Sequence, residues 1–160
     1  MIEVIVSDDI KQKAKKKAQD LGNLNNSITK GDGNISGFIG EFIAAEIMSG
    51  DVHNTFDYDV VLKDGTKIDV KTKRTTVKPK DFYECSVAKY NTNQRCDGYA
   101  FVRVKNDLSI GWFLGYLPKD KYFKIAKHLK KGDIDPSNNF VVKADCYNVK
   151  ISELDIGDYL

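Results

Sequence analysis

Apolar and charged residues alternate from Phe56 to Arg74, break once at Asp64-Gly65, and then alternate again. A period of two predicts strands, here over 55–62 and 66–74, and Asp-Gly between two such runs signals a hairpin. The strongest helical pattern lies just upstream, over 35–48. There Ile35, Phe38, Ile39, Phe42, Ile43, Ala45, Ile47 and Met48 cover most of a helix circumference, so this helix is expected to be well buried. A narrower stripe, Ile10, Ala14, Ala18 and Leu21, follows Ser7-Asp8-Asp9. Ser7 is a capping hydroxyl, the two acids suit a helix start, and Gly22 is the expected stop. Short strands are expected at 2–6, 82–87, 99–104, 110–117, 140–143 and 147–151. Pro118 suits the first turn of a helix that runs to about Lys131, with Tyr122, Ile125, Ala126 and Leu129 facing inward and Gly132 ending it. Residues 88–95 read as a short helix or a loop, and 23–34, rich in Asn and Gly, as a loop. Nothing in the pattern marks a repeat or a linker, so residues 1–160 are expected to form one α/β domain.

The turn fixes which charged residues meet. A two-residue Asp64-Gly65 turn would pair Leu62 with Lys67 and send the acids to opposite sides of the sheet. A three-residue loop, Lys63-Asp64-Gly65, pairs Leu62 with Thr66 and puts glycine at the left-handed third position. Asp59 then faces Asp69, and Asp57 faces Lys71. Side-chain sorting favours this second register. It collects Phe56, Tyr58, Val60, Leu62, Ile68 and Val70 on one face and Asp57, Asp59, Asp69, Lys71 and Lys73 on the other, and a slip of one residue would mix the sets. Two facing aspartates repel, and a divalent cation would convert that repulsion into binding. Oxygen ligands suit Mg²⁺ or Mn²⁺ rather than zinc. A solvent-facing ladder of Asp–Lys ion pairs is the other reading of the same spacing. Glu41 sits inside the greasy pattern of the 35–48 helix, with Gly37, Phe38, Ala44 and Ala45 as its helical neighbours. A carboxylate there is costly without a cation or hydrogen bonds. Its alternative is a place on the solvent edge, and Glu46 is a second acid on the same helix.

Composition changes the picture little. With 41% hydrophobic and 30% charged residues the chain has an ordinary globular composition. No apolar run is long enough to span a bilayer, and the N-terminus lacks the marks of a signal peptide, so a cytoplasmic location is expected. Cys85, Cys96 and Cys146 are odd in number and widely spaced, which argues for free thiols rather than a disulfide framework or a zinc site. The net charge of +2 is small, but basic residues cluster at 11–17, 63–80 and 119–131. Such patches are either solvated faces or a nucleic-acid footprint. Trp112, Tyr116 and Tyr122 read as core or rim. His53 and His128 carry no strong site signal, and Gln94 would reach the site only if 88–95 folds back upon it.

Tyr58-Asp59 followed by Asp69-Val70-Lys71, behind a helix bearing Gly-Phe-Ile-Gly-Glu41, resembles the PD-(D/E)XK nuclease superfamily. The resemblance covers the middle half of the chain. It implies a restriction-endonuclease-like mixed sheet flanked by helices. Residue by residue, it implies Asp59 and Asp69 as metal ligands and catalytic acids, the Val70 carbonyl as a main-chain ligand, Lys71 as the catalytic lysine, and Glu41 as the helix carboxylate supporting a metal or its water. Tyr58 stands where the family name has proline. Asp57 shares the face of Asp59, which is preferred because it stands opposite Asp69. The implied reaction is Mg²⁺- or Mn²⁺-dependent hydrolysis of DNA phosphodiesters, with Lys73, Arg74, Lys78 and Lys80 as phosphate contacts. A small domain without a recognition module suits structure-selective cleavage of branched or junction DNA, or exonuclease action, in repair or recombination. The resemblance leaves room for a homodimer, since two phosphodiesters must be cut. The alternative is a non-catalytic nucleic-acid-binding or assembly protein that keeps the fold.

Overall fold

The computed structural model describes residues 1–25, 35–53 and 55–157. In chain order the elements are β1 (Ile2–Ile5), α1 (Asp8–Asn25), α2 (Ile35–Met48), β2 (Gly50–Val52), β3 (Val60–Leu62), β4 (Lys67–Thr75) and β5 (Glu84–Ala88). A 3-10 turn over Lys89–Asn93 leads to β6 (Gly98–Lys105), β7 (Ile110–Pro118), α3 (Lys119–Ile125), β8 (Lys127–Leu129) and β9 (Cys146–Lys150). A six-stranded mixed sheet runs in the order β1-β7-β6-β4-β3-β2, and a three-stranded sheet runs β5-β9-β8. All neighbours in the large sheet are antiparallel except β4 and β6, whose parallel register pairs Asp69 with Tyr99 and Lys73 with Arg103. A parallel pair needs a crossover, and here the crossover contains β5 and the 3-10 turn.

Alternation along β4 and β6 divides the apolar residues between two cores, one on each face of the sheet. Val60, Ile68, Val70, Ala100, Val102 and Val104 pack with Ile39, Ile43 and Ala44 of α2 and Ala14 and Ala18 of α1. Tyr99, Phe101, Trp112, Leu114 and Tyr122 pack with Cys85, Val87 and Val149 of the small sheet. Trp112 and Tyr122 are therefore core, and Tyr116 lies partly buried against the helix-side core. All three cysteines are free thiols, with Cys85 and Cys96 buried. Among the described residues no helix is long and apolar enough to cross a membrane.

Several elements differ from the expectation. The first hairpin strand is three residues long instead of spanning 55–62, because residues 55–59 form an irregular turn tied by Thr55 Oγ1, which accepts from Tyr58 N–H and donates to the Tyr58 carbonyl. Phe56 is accordingly exposed rather than core. Helix α1 continues through Gly22 to Asn25, and β2 has no counterpart in the sequence pattern. The helix expected to reach Lys131 ends at Ile125, where Ala126 turns extended and β8 pairs with β9. The strand expected at 140–143 is reduced to one bridge, Ile134 to Val141. The loop expected over 23–34 is helical as far as Asn25, and its remainder lies outside the described residues.

Candidate active site

The hairpin turns as its three-residue reading requires. Leu62 N–H donates to the Thr66 carbonyl (2.9 Å), and Gly65 N–H closes the turn on the Leu62 carbonyl (2.9 Å). Gly65 takes a φ of +88°, which glycine adopts without a Cβ penalty. The ladder continues through Val61–Lys67 and Val60–Ile68, then stops. Asp59 completes it by other means. Its N–H donates to the Ile68 carbonyl (2.8 Å), and its carboxylate Oδ2 accepts the Val70 N–H (2.7 Å). The side chain thus takes the place of a strand partner, and among the described residues no strand pairs with this edge of β4 beyond that point. The Val70 carbonyl shares this open edge, because a strand residue directs its N–H and C=O to the same side.

Asp57 does not face Lys71. Its Oδ1 accepts the Arg95 N–H (3.0 Å), which removes it from the acid cluster and leaves Asp59 as the acid beside Asp69. Asp69 is only 3% exposed. Lys71 Nζ lies 2.6 Å from its Oδ2 but off the hydrogen-bonding direction, so that oxygen is buried without a hydrogen bond among the described residues. Lys71 is also within 3.4 Å of Gln94 Oε1. Gln94 is buried, anchored by its amide to the Phe56 carbonyl (2.7 Å), while its own carbonyl accepts from Lys119 Nζ (2.6 Å). Cys96 and Tyr99 form the wall behind Asp69: burial pushes both of their pKa values up, and the Asp69 charge adds to the shift.

Glu41 is buried, at 8% exposure, so the solvent-edge alternative does not hold, whereas Glu46 is exposed. Its partner is Lys17 of α1, which forms a close ion pair with Glu41 Oε2 and stands 4.6 Å from the centroid of the Phe38 ring. Helix α2 reaches this position by pressing on β4: a Cβ on Gly40 would stand 1.9 Å from Thr72 Oγ1, whereas one on Gly37 would meet nothing within 4 Å. Gly40→Ala should therefore cost about 1–3 kcal/mol by overpacking, roughly 3–10 °C in Tm for a chain of this length. Gly37→Ala should instead stabilise by up to about 1 kcal/mol. Thermal melts of the two variants check this, and a Gly40→Ala protein that melts at or above the parent would refute the close approach.

The electrostatics record crowding of acids. Burial, then the charges of Glu41 and Asp69, push the Asp59 pKa up to about 8 against the hydrogen bond from Val70 and the charge of Lys71. Burial also raises the Glu41 pKa, with Lys17 opposing and Asp69 reinforcing the shift. A divalent cation suits this arrangement: the donors are oxygens only, Asp69 Oδ2 lacks a hydrogen bond, and Asp59 carries unrelieved repulsion. The set is not closed, however. Glu41 is turned to Lys17, and among the described residues no three acids, histidines or cysteines are grouped as a ready metal centre.

The remaining candidates separate. Lys73 and Arg74 line a groove of about 1120 Å³ between the large sheet and the small one. Lys78 extends to Glu3, 3.8 Å away, and Lys80 lies over the exposed Phe82 ring at the groove mouth. His53 is exposed beside Tyr58, and His128 stacks on Tyr147 at 4.5 Å. Two residues absent from the sequence-based site are Lys17 and Arg103. Lys17 could have been found at the flank of the Ala14–Ala18 stripe, where a lysine is half sheltered; Arg103, inside a long apolar strand, is the kind of charge that marks a site. No family model matches the chain, and no curated protein matches it.

Proposed function

We propose that this chain is a divalent-cation-dependent deoxyribonuclease of the PD-(D/E)XK superfamily on a restriction-endonuclease-like fold. The observation that carries the reading is the hairpin. Its three-residue loop brings the Asp59 carboxylate, Asp69 and the Val70 carbonyl to one open strand edge, with Lys71 2.6 Å from Asp69. The order of elements supports it: an acid-bearing helix (α2), an antiparallel run (β2, β3, β4), and then a strand (β6) parallel to β4. The crossover departs from the family pattern, having β5 and a 3-10 turn where a second core helix is expected.

Asp59, Asp69 and the Val70 carbonyl would hold Mg²⁺ or Mn²⁺, with Glu41 joining once released from Lys17. Bound there, the ion would supply Lewis-acid stabilisation of a phosphate and lower the pKa of a water. Lys71, positioned between Asp69 and Gln94, presents its ammonium to a phosphate oxygen or an attacking water. Asp59 is set up to give up its proton as a cation arrives. Lys73, Arg74 and Lys80 lie along the way in for the phosphate backbone. Branched or junction DNA, or a free end, is the substrate class in repair or recombination, and a homodimer would serve paired cuts.

The Lys17–Glu41 ion pair favours a second reading, a non-catalytic nucleic-acid-binding or assembly protein, because that pair satisfies Glu41 without metal. One assay separates the two. Purified protein is given supercoiled, linear and branched DNA, and RNA in parallel, with Mg²⁺ or Mn²⁺. Cleavage by the parent that falls by at least about 10²-fold in Asp69→Ala and Lys71→Ala supports the nuclease. DNA binding without cleavage in either metal sinks it.

A further inference from the structure

The same face of β4 that bears Asp69 and Lys71 continues to Lys73, four residues on, and strand rise places Lys73 about 13 Å from Asp69. Lys73 is register partner to Arg103 of β6. Arg103 is only 8% exposed, yet among the described residues it donates a hydrogen bond to a backbone carbonyl, that of Glu84 (2.8 Å), and no carboxylate pairs with it. Two cations thus stand side by side with little to neutralise them. Burial, then the charge of Arg103, lowers the Lys73 pKa. Cations placed so are stabilised by an anion.

Both line the groove, and so do Arg74, Lys143 and Lys150. The acids in its lining, Glu84 and Asp135, are already engaged by Lys127 at 2.8 and 2.9 Å. The net field of the groove is therefore positive. Two exposed aromatic rings stand in its lining, Phe82 at 62% and Phe140 at 52%. Phe82 meets Tyr83 edge-on and has Lys80 over its ring, yet both Phe82 and Phe140 stay largely exposed. Basic lining with exposed aromatic rings is the make-up of a site for single-stranded nucleic acid, which offers both phosphates and unstacked bases. A duplex keeps its bases stacked and has no use for the rings.

We infer that this groove binds a single nucleic-acid strand, with a phosphate on Lys73 and Arg103 and bases against Phe82 and Phe140. Lying about 13 Å along β4 from Asp69, that phosphate is not the one to be cut. The groove positions the strand that leaves or enters the cleavage site. The inference deepens the nuclease reading, since it specifies a single-stranded arm as part of the substrate, but its test runs without metal and fails separately.

The test is fluorescence anisotropy of the full chain in EDTA, with a labelled oligothymidylate of about a dozen nucleotides and a blunt hairpin duplex of like length. The single strand should bind more tightly than the duplex. Arg103→Met and Lys73→Met should each weaken it about 10- to 100-fold and reduce the salt slope by about 0.7 per lost phosphate contact. Phe140→Ala should weaken it about tenfold, and Lys15→Met, on the exposed side of α1, should bind as the parent does. If Arg103→Met does not fold, the exposed Lys73 and Phe140 still decide the matter. Duplex binding as tight as single-strand binding, or parental binding by folded Lys73→Met and Phe140→Ala, overturns the inference. Groove-dependent binding in a protein that never cleaves would uphold it while removing the nuclease reading.

Discussion

At pH 8 in EDTA, Asp59→Asn is expected to melt above the parent protein. The folded pKa of Asp59 is pushed up to about 8, from an ordinary value of 3.8. A raised carboxyl pKa means that the folded state binds the extra proton, so the contribution of this group is fully present below the ordinary value and is lost as pH rises toward 8. Above that point the parent holds an ionised Asp59 beside Asp69 and Glu41. Asparagine keeps an oxygen for the Val70 N–H and removes the charge. The variant should gain at least about 1 kcal/mol, roughly 2–4 °C, and the gain should vanish near pH 4. Mg²⁺ at ten times its Kd should add about 1.4 kcal/mol to the parent and almost nothing to the variant. The variant should cleave no DNA. Calorimetry across pH with and without Mg²⁺ checks the set. An Asp59→Asn protein less stable than the parent at pH 8, or one stabilised equally by Mg²⁺, would show that the acids are not crowded as described.

Lys17→Met should have the larger cost. Lys17 and Glu41 are both largely buried, so removing the lysine leaves a carboxylate without its cation. Breaking such a pair costs about 3 kcal/mol or more, roughly 6–12 °C at this chain length. Loss of Lys17 removes the two influences that lower the Glu41 pKa, so that pKa rises further. The penalty should therefore be greatest at high pH and shrink as Glu41 takes up a proton. Lys17→Met/Glu41→Gln should recover most of the loss at high pH. Urea or thermal unfolding of the single and double variants at pH 5 and pH 9 reads this out. A pH-independent loss would assign Lys17 a packing role against Phe38 instead.

The hairpin register was legible because two local signals agreed: Asp64-Gly65 supplies a left-handed turn position, and only one register sorts the apolar from the charged side chains. The length of its first strand was not. Phe56 through Asp59 keep an alternating pattern, yet Thr55 folds that segment into a turn and Asp57 finds a distant backbone N–H at Arg95. Alternation reports solvent and core faces only where a strand actually pairs. The apolar helix left Glu41 open to burial or a solvent edge; its partner lies 24 residues away on another helix, and the Ala14–Ala18 stripe half shelters Lys17 without saying which acid it meets. The misread 119–131 segment contains too few turns for its apolar spacing to separate helix from strand, and pairing of Lys127–Leu129 with β9 decided the outcome.

The edge strand β1 has a consequence for the order of events in synthesis. Ile2 pairs with Phe113 and Ile5 with Ile110, so β1, which precedes the other strands of the large sheet in the chain, waits for the last of them. At about 5–20 residues per second, β1 spends about 5–20 s without its partner, while α1, α2 and the hairpin emerge and pack locally. The charged hairpin and its helices can thus assemble before the sheet is closed at its far edge. Long-range closure of this kind slows folding relative to helical domains of equal size.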